Sequence, residues 1–266
     1  MFDAFYNFQA TPFGRDINVV SLYRDNDRDE IIDRLKYAAN RQLFAILTGE
    51  SGSGKTTLLR RFNDEISSSG FMTIYISDSK LTPRHFYRGI LEQLGFEAKY
   101  FRGDAKSQLH KEVELLKAVH NIVPVLIVDE AHLLGRDMLE EVRFLLNLKM
   151  DSQSPMALIL TGQTELWDKL RLQSYTAIRQ RIDIQCHVVK LDLSATNAYI
   201  KTHLAFAGCE KDIFSDAAIE EIYKFSSGIP RLVNKAAIAS LHYGSQNLKN
   251  IIDERMVKFV VDSELV

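Results

Sequence analysis

The chain has 266 residues, 46% of them hydrophobic and 26% charged, with a formal net charge of -2. Such a composition fits an ordinary globular protein of one large or two smaller domains and carries no global basic field that would advertise nucleic-acid binding. No apolar run approaches the ~18 residues of a membrane span, and the amino terminus lacks the layout of a signal peptide, so a cytoplasmic location is expected. Cys186 and Cys209 are the only cysteines and stand in no metal-ligand spacing, which points to two reduced thiols.

Residues 1–16 are rich in aromatics (Phe2, Phe5, Tyr6, Phe8, Phe13), and Thr11-Pro12-Phe13-Gly14 reads as a turn. Ile31, Ile32, Leu35, Ala38 and Ala39 recur at helical spacing and predict a helix over 27–39. The apolar run 43–48 predicts a buried strand. It leads into Gly49-Glu50-Ser51-Gly52-Ser53-Gly54-Lys55-Thr56, which fills every fixed position of the pattern G-x-x-x-x-G-K-[ST], and Thr57 opens a helix running to about Ser67. Glycines at these positions let successive N–H groups turn inward onto phosphate oxygens, and the helix amino terminus adds its dipole. Lys55 is placed to reach β- and γ-phosphates, and the Thr56 hydroxyl to ligate Mg²⁺. Residues 49 to 57 are therefore the candidate ATP-binding set.

A second strand is predicted over 71–76. Thr82-Pro83 opens a helix ending near Gly95, 99–106 reads as a polar, partly basic connection, and another helix covers 105–120. Val125-Leu126-Ile127-Val128 reads as a parallel strand buried on both faces, ending on Asp129-Glu130. Carboxylates at the carboxyl end of such a strand lie where open α/β sheets bind ligands. The run fits the Walker B pattern, with Asp129 as a second Mg²⁺ ligand and Glu130 as the group that polarises the attacking water. A helix over 138–148, a strand over 156–161 followed by Gly162-Gln163, a helix over 174–181 and a strand over 184–191 come next. Beyond Asp192 only helices are predicted, over 195–207, 215–225, 230–243 and 253–261. The pattern predicts an α/β P-loop domain with a mostly parallel sheet over 1–192, including the aromatic arm, and a small helical lid domain over 193–266.

These ordered motifs resemble the AAA+ ATPases. In that family a polar residue after the fourth strand helps place the water and the γ-phosphate. Gln163 falls there, with Thr161 as the second candidate. An arginine just before the fifth strand reaches into the neighbouring subunit's site; Arg181 is the first candidate and Arg179 the second. Arg231, in Gly228-Ile229-Pro230-Arg231, matches the lid arginine that closes on the γ-phosphate. A finger arginine of this kind is worth ~10³–10⁵ in rate and makes hydrolysis depend on oligomerisation.

Within the family the chain is similar to the ExeA-like group, through the aromatic segment running into Pro12-Phe13, through 47–57, through Asp129-Glu130-Ala131-His132-Leu133-Leu134 and through Gly162-Gln163-Thr164-Glu165-Leu166. The group holds secretion ATPases and, closely related, DNA-transposition regulators of the TnsC and MuB type. Secretion members continue into a membrane span and a cell-wall-binding region, which this chain does not reach by Val266, so the resemblance favours the transposition branch. It implies an ATPase that assembles as a ring or helical filament on duplex DNA, recruits a transposase and disassembles on hydrolysis. The alternative is an ATPase of a secretion or envelope-assembly system. The segment 99–106 lies in a region that faces the channel in related DNA-bound assemblies, so Lys99, Arg102 and Lys106 are the candidate DNA contacts, with Lys80, Arg84 and Arg88 secondary. The resemblance leaves open whether the aromatic arm packs on its own domain, walls an adenine pocket or docks on a neighbour.

Overall fold

The computed structural model describes residues 2–67, 70–77, 82–146, 154–209 and 211–265. In chain order the elements are α1 (Phe2–Tyr6), α2 (Asn26–Arg41), β1 (Phe44–Gly49), α3 (Lys55–Ile66), β2 (Phe71–Ile76), α4 (Pro83–Gln93), α5 (Arg102–His120), β3 (Val123–Val128), α6 (Arg136–Leu145), β4 (Ala157–Gly162), α7 (Thr164–Arg171), α8 (Thr176–Arg179), β5 (Ile184–Val188), α9 (Leu193–Phe206), α10 (Asp216–Ser226), α11 (Pro230–Gln246) and α12 (Glu254–Val260). They fall into two units. One comprises 28–51 and 55–188, the other 1–27, 52–54 and 189–266.

The first unit is built on a parallel sheet of order β2-β3-β4-β1-β5. Parallel strands require helical crossovers, which cover both faces and leave the strands apolar throughout. Successive side chains divide accordingly: Phe44, Ile46, Leu126, Val128, Leu158 and Leu160 pack on one face against α4 to α7. Ala45, Leu47, Val125, Ile127, Ala157 and Ile159 pack on the other against α2 and α3. β2 is an edge strand, and Gln93 blunts that edge by pairing with the Tyr75 backbone through both its amide atoms, at 3.0 Å each.

Helix starts follow the capping chemistry of the sequence. Thr82 caps α4, with Pro83 in its first turn, and Asp192, Ser215 and Asp253 cap α9, α10 and α12 through side-chain oxygens. Several predicted bounds shift. α5 begins at Arg102, so the connection expected to run to Lys106 is one loop ending at Phe101. The cause lies at a distance: Glu141 of α6, almost wholly buried, pairs with Arg102 and with Lys106 (3.5 Å) and accepts the Tyr87 hydroxyl. Burial pushes the Glu141 carboxyl up, but the Tyr87 hydrogen bond and the two cations more than offset it and hold it below its ordinary value. The helix expected over 174–181 is a 3₁₀ turn at Gln173–Tyr175 followed by α8, and β5 stops at Val188. Leu148, at the end of the helix predicted from 138, and Lys80 lie outside the described residues.

Among its described residues, the regular structure of the second unit is helical apart from a single bridge between Phe214 and Ile252. The aromatic arm is part of this unit rather than of the first. Phe2 and Phe13 are buried with Ile200, Leu204 and Leu241. The Phe13 N–H donates to His203 Nδ1 at 3.2 Å, and the two rings stack at 5.1 Å. That bond needs an unprotonated Nδ1, and burial lowers the His203 pKa to about 4, so the imidazole is neutral at physiological pH.

Candidate nucleotide site

Strand order decides where the site forms. The chain leaves β1 for β2 at the far edge and returns to place β4 directly beside β1. At such a reversal the crevice outside the carboxyl ends of the strands is open to a ligand. Thr48 is in register with Gly162, and Val128 with Leu160, so the loop after β1, the carboxylates after β3 and Gln163 after β4 emerge along one edge of the sheet.

The loop after β1 turns through Gly52 and Gly54 at φ +81 and +98, the left-handed region that an L side chain enters only at a cost. Gly52 also lacks room: a Cβ there would stand 2.7 Å from Arg231 Cβ and 3.2 Å from Ile229 Cγ2. The Arg231 N–H donates to Gly52 O at 3.2 Å, a backbone bond within the same unit. Lys55, 8% exposed, donates from Nζ to Gly49 O (2.8 Å) and Glu50 O (2.9 Å), which folds the ammonium over the loop. The Ser53 hydroxyl is buried and has no hydrogen-bond partner among the described residues. A buried cation, a partnerless buried hydroxyl and the amino terminus of a 12-residue helix together suit an anionic phosphate chain, so these residues fit ATP.

Asp129 is buried (5% exposed) at the end of β3. Its Oδ2 accepts the Tyr75 hydroxyl at 2.5 Å, and its Oδ1 accepts the Glu130 N–H at 2.8 Å. Burial and the bond to Asp129 hold the Tyr75 phenol well above its ordinary pKa. Glu130 stands at φ 51, left-handed for a residue with a Cβ, a conformation that costs of order 1 kcal/mol and is met most often at functional sites. It is half-buried, and its Oε2 lies 3.4 Å from His132 Nδ1. The other ring nitrogen of His132 lies 3.2 Å from Gln163 Nε2. Thr161, the second candidate for the Gln163 role, is fully buried, and its hydroxyl has no hydrogen-bond partner among the described residues. Sequence reading singled out neither Tyr75 nor His132 as a site residue. For His132 a signal existed, its place two residues after Glu130; for Tyr75 none did, because it sits within an apolar strand.

Arg179 donates from Nη1 to Arg171 O at 2.7 Å and so caps the carboxyl end of α7. Arg181 is half-buried in the turn between α8 and β5. The candidate DNA contacts lie elsewhere in the unit. Lys99 is exposed, Arg102 and Lys106 are engaged with Glu141, and Arg84 stacks on the exposed Tyr100 ring at 3.9 Å. Among the described residues no helix is long and apolar enough to cross a membrane.

Known proteins share this architecture. The chain is 31% identical over 257 residues to general secretion pathway protein A of Aeromonas hydrophila, a match covering 93% of the chain but 46% of the relative, so the chain spans about half of that relative's length. Cdc6p from Pyrobaculum aerophilum superposes with a TM-score of 0.70 at 16% identity, over 98% of this chain and 70% of that one. The Drosophila ORC structure bound to DNA gives 0.67 at 16% (98% and 64%). The RuvB Holliday junction branch migration motor of Thermotoga maritima gives 0.62 at 18% (90% and 69%). At these identities the three structures speak for the fold alone. A family model described as AAA domain matches residues 38–170, half of the chain, which holds the loop, both carboxylates and Gln163. The chain belongs to the AAA domain family and has the AAA+ P-loop fold.

Proposed function

We propose that the protein binds ATP with Mg²⁺ at 49–57 and hydrolyses it to ADP and phosphate. The observation that carries this is the convergence of a complete phosphate loop, Asp129-Glu130 and Gln163 on one edge of the sheet. The Thr56 hydroxyl and the Asp129 carboxylate would hold Mg²⁺, which would supply neutralisation of phosphate charge. Lys55 binds the terminal phosphates. Glu130 polarises the water and accepts its proton as the oxygen bonds to phosphorus and the bond to the bridging oxygen breaks. Gln163 orients the water. Arg231 closes on the γ-phosphate, and Arg181 of a neighbouring copy supplies a finger, which makes hydrolysis depend on assembly. Arg179 is the weaker finger candidate, since its guanidinium already caps α7.

The finer reading is a regulator of DNA transposition that assembles on duplex DNA in the ATP state, recruits a transposase and leaves on hydrolysis. The exposed patch of Lys99, Arg84 and Tyr100, with Arg102 beside it, supports it. The second reading, an ATPase of a secretion or envelope-assembly system, is favoured by the match to general secretion pathway protein A. Duplex binding measured with a non-hydrolysable ATP analogue at several salt concentrations separates the two. The transposition reading expects ATP-dependent binding whose salt slope grows by about 0.9 per phosphate neutralised. Lys99→Glu leaves the Glu141 pairs intact and should flatten that slope. No ATP-dependent binding at any salt would discard the transposition reading and leave the secretion one.

A further inference from the structure

The Asp-Glu-Ala-His run continues past the two carboxylates that chemistry requires, and the fold takes pains over its histidine. The backbone of the 3₁₀ turn Ala131–Leu133 is pinned from α7 by Lys169, whose Nζ donates to His132 O at 3.3 Å and Leu134 O at 2.5 Å. The ring lies against Gly162 at the end of β4. A Cβ on Gly162 would stand 3.1 Å from the His132 backbone nitrogen and 3.3 Å from Nδ1, so the absence of a side chain there leaves the space the imidazole uses. So placed, His132 spans two groups that approach from different strands: Glu130 Oε2 at 3.4 Å on Nδ1 and the Gln163 amide at 3.2 Å on Nε2. The Gln163 backbone N–H also donates to Nδ1, at 3.5 Å, so Gln163 engages both ring nitrogens while Nδ1 faces the Glu130 carboxylate.

We infer that His132 is a positioning residue for hydrolysis, holding the Glu130 carboxylate and the Gln163 amide in one fixed relation. A carboxylate after a strand, in a left-handed conformation, has several rotamers open to it; a ring held by Gln163 selects one. Displacement of a water-activating group by about 1 Å is enough to cost ~10² in rate. The inference rests on the ATPase reading above, and its test separates the two.

His132→Ala should lower kcat about 10²-fold, with KM, ATP affinity by calorimetry and melting temperature close to wild type. His132→Asn, which retains an N–H for Glu130, should recover part of the rate. The double variant His132→Ala/Gln163→Ala should be no slower than the worse single variant, because both act through one geometry; losses that multiply would overturn the inference. Gly162→Ala offers a second route to the same result by crowding the ring. In nucleotide-free protein carrying ¹⁵N-histidine, the His132 ring resonances should move in both Glu130→Gln and Gln163→Ala; resonances unmoved in both would show that the ring does not bridge them. If Glu130→Gln is inactive and His132→Ala turns over like wild type, the inference fails and the ATPase reading stands. If both turn over like wild type, the ATPase reading has failed.

Discussion

Glu130→Gln is expected to bind ATP as tightly as wild type and to lose turnover by about 10²–10⁴-fold, the range that a positioned general base contributes. The substitution keeps the length and shape of the side chain and removes only the charge that draws the proton from water. Lys55 is held by the carbonyls of Gly49 and Glu50, and the Glu130 N–H to Asp129 bond is made by the backbone. The left-handed φ of 51 also belongs to the backbone and is shared by both side chains. Calorimetry with single-turnover kinetics checks both halves of this expectation. Turnover at the wild-type rate would move the role of base to another residue.

Gly228→Ala is expected to be strongly destabilising. Gly228 has φ +74, and a Cβ built on it would stand 1.8 Å from Leu191 O, a backbone atom. Leu191 also donates its N–H to Gly228 O at 2.9 Å, so the two segments cannot separate without losing that bond. A left-handed alanine alone costs about 1–2 kcal/mol. The overlap with backbone raises the total to ~3 kcal/mol or more, which for a chain of this size lowers the melting temperature by roughly 10 °C. Gly95 provides the comparison. It has φ +86 but nothing within 4 Å of an added Cβ, so Gly95→Ala should show the conformational cost alone. Equal melting temperatures for the two variants would remove the steric part of the account.

The parts of the site that were legible from sequence are those whose chemistry is local. The phosphate loop announces itself because its glycines, Lys55 and Thr56 must be adjacent to wrap one phosphate chain. The run 125–130 does so because a strand buried on both faces must be apolar until it meets the ligand. What escaped is what long-range packing decides. Glu141 lies 39 residues from Arg102, and no local pattern ties them, yet their pairing extends α5 by a turn and uses two cations that read as free surface charge. The aromatic arm joins a unit whose later helices begin at Leu193, through a bond from Phe13 to His203, 190 residues on, and a cluster of buried apolar side chains. Tyr75 reaches Asp129 only because β2 lies beside β3, which strand order alone determines.

Every role proposed for the site depends on the loop at 49–57 holding the triphosphate. Titration of ATP with Mg²⁺ into the wild type and into Lys55→Ala, followed by calorimetry, tests it most directly. Lys55 is the buried cation of the loop, and no other side chain of residues 49–57 carries positive charge. The account predicts saturable binding to the wild type and none, or binding weakened by at least ~10²-fold, to the variant, the loss expected when a buried charge-assisted contact worth about 3 kcal/mol is removed. An unchanged affinity in Lys55→Ala would contradict it.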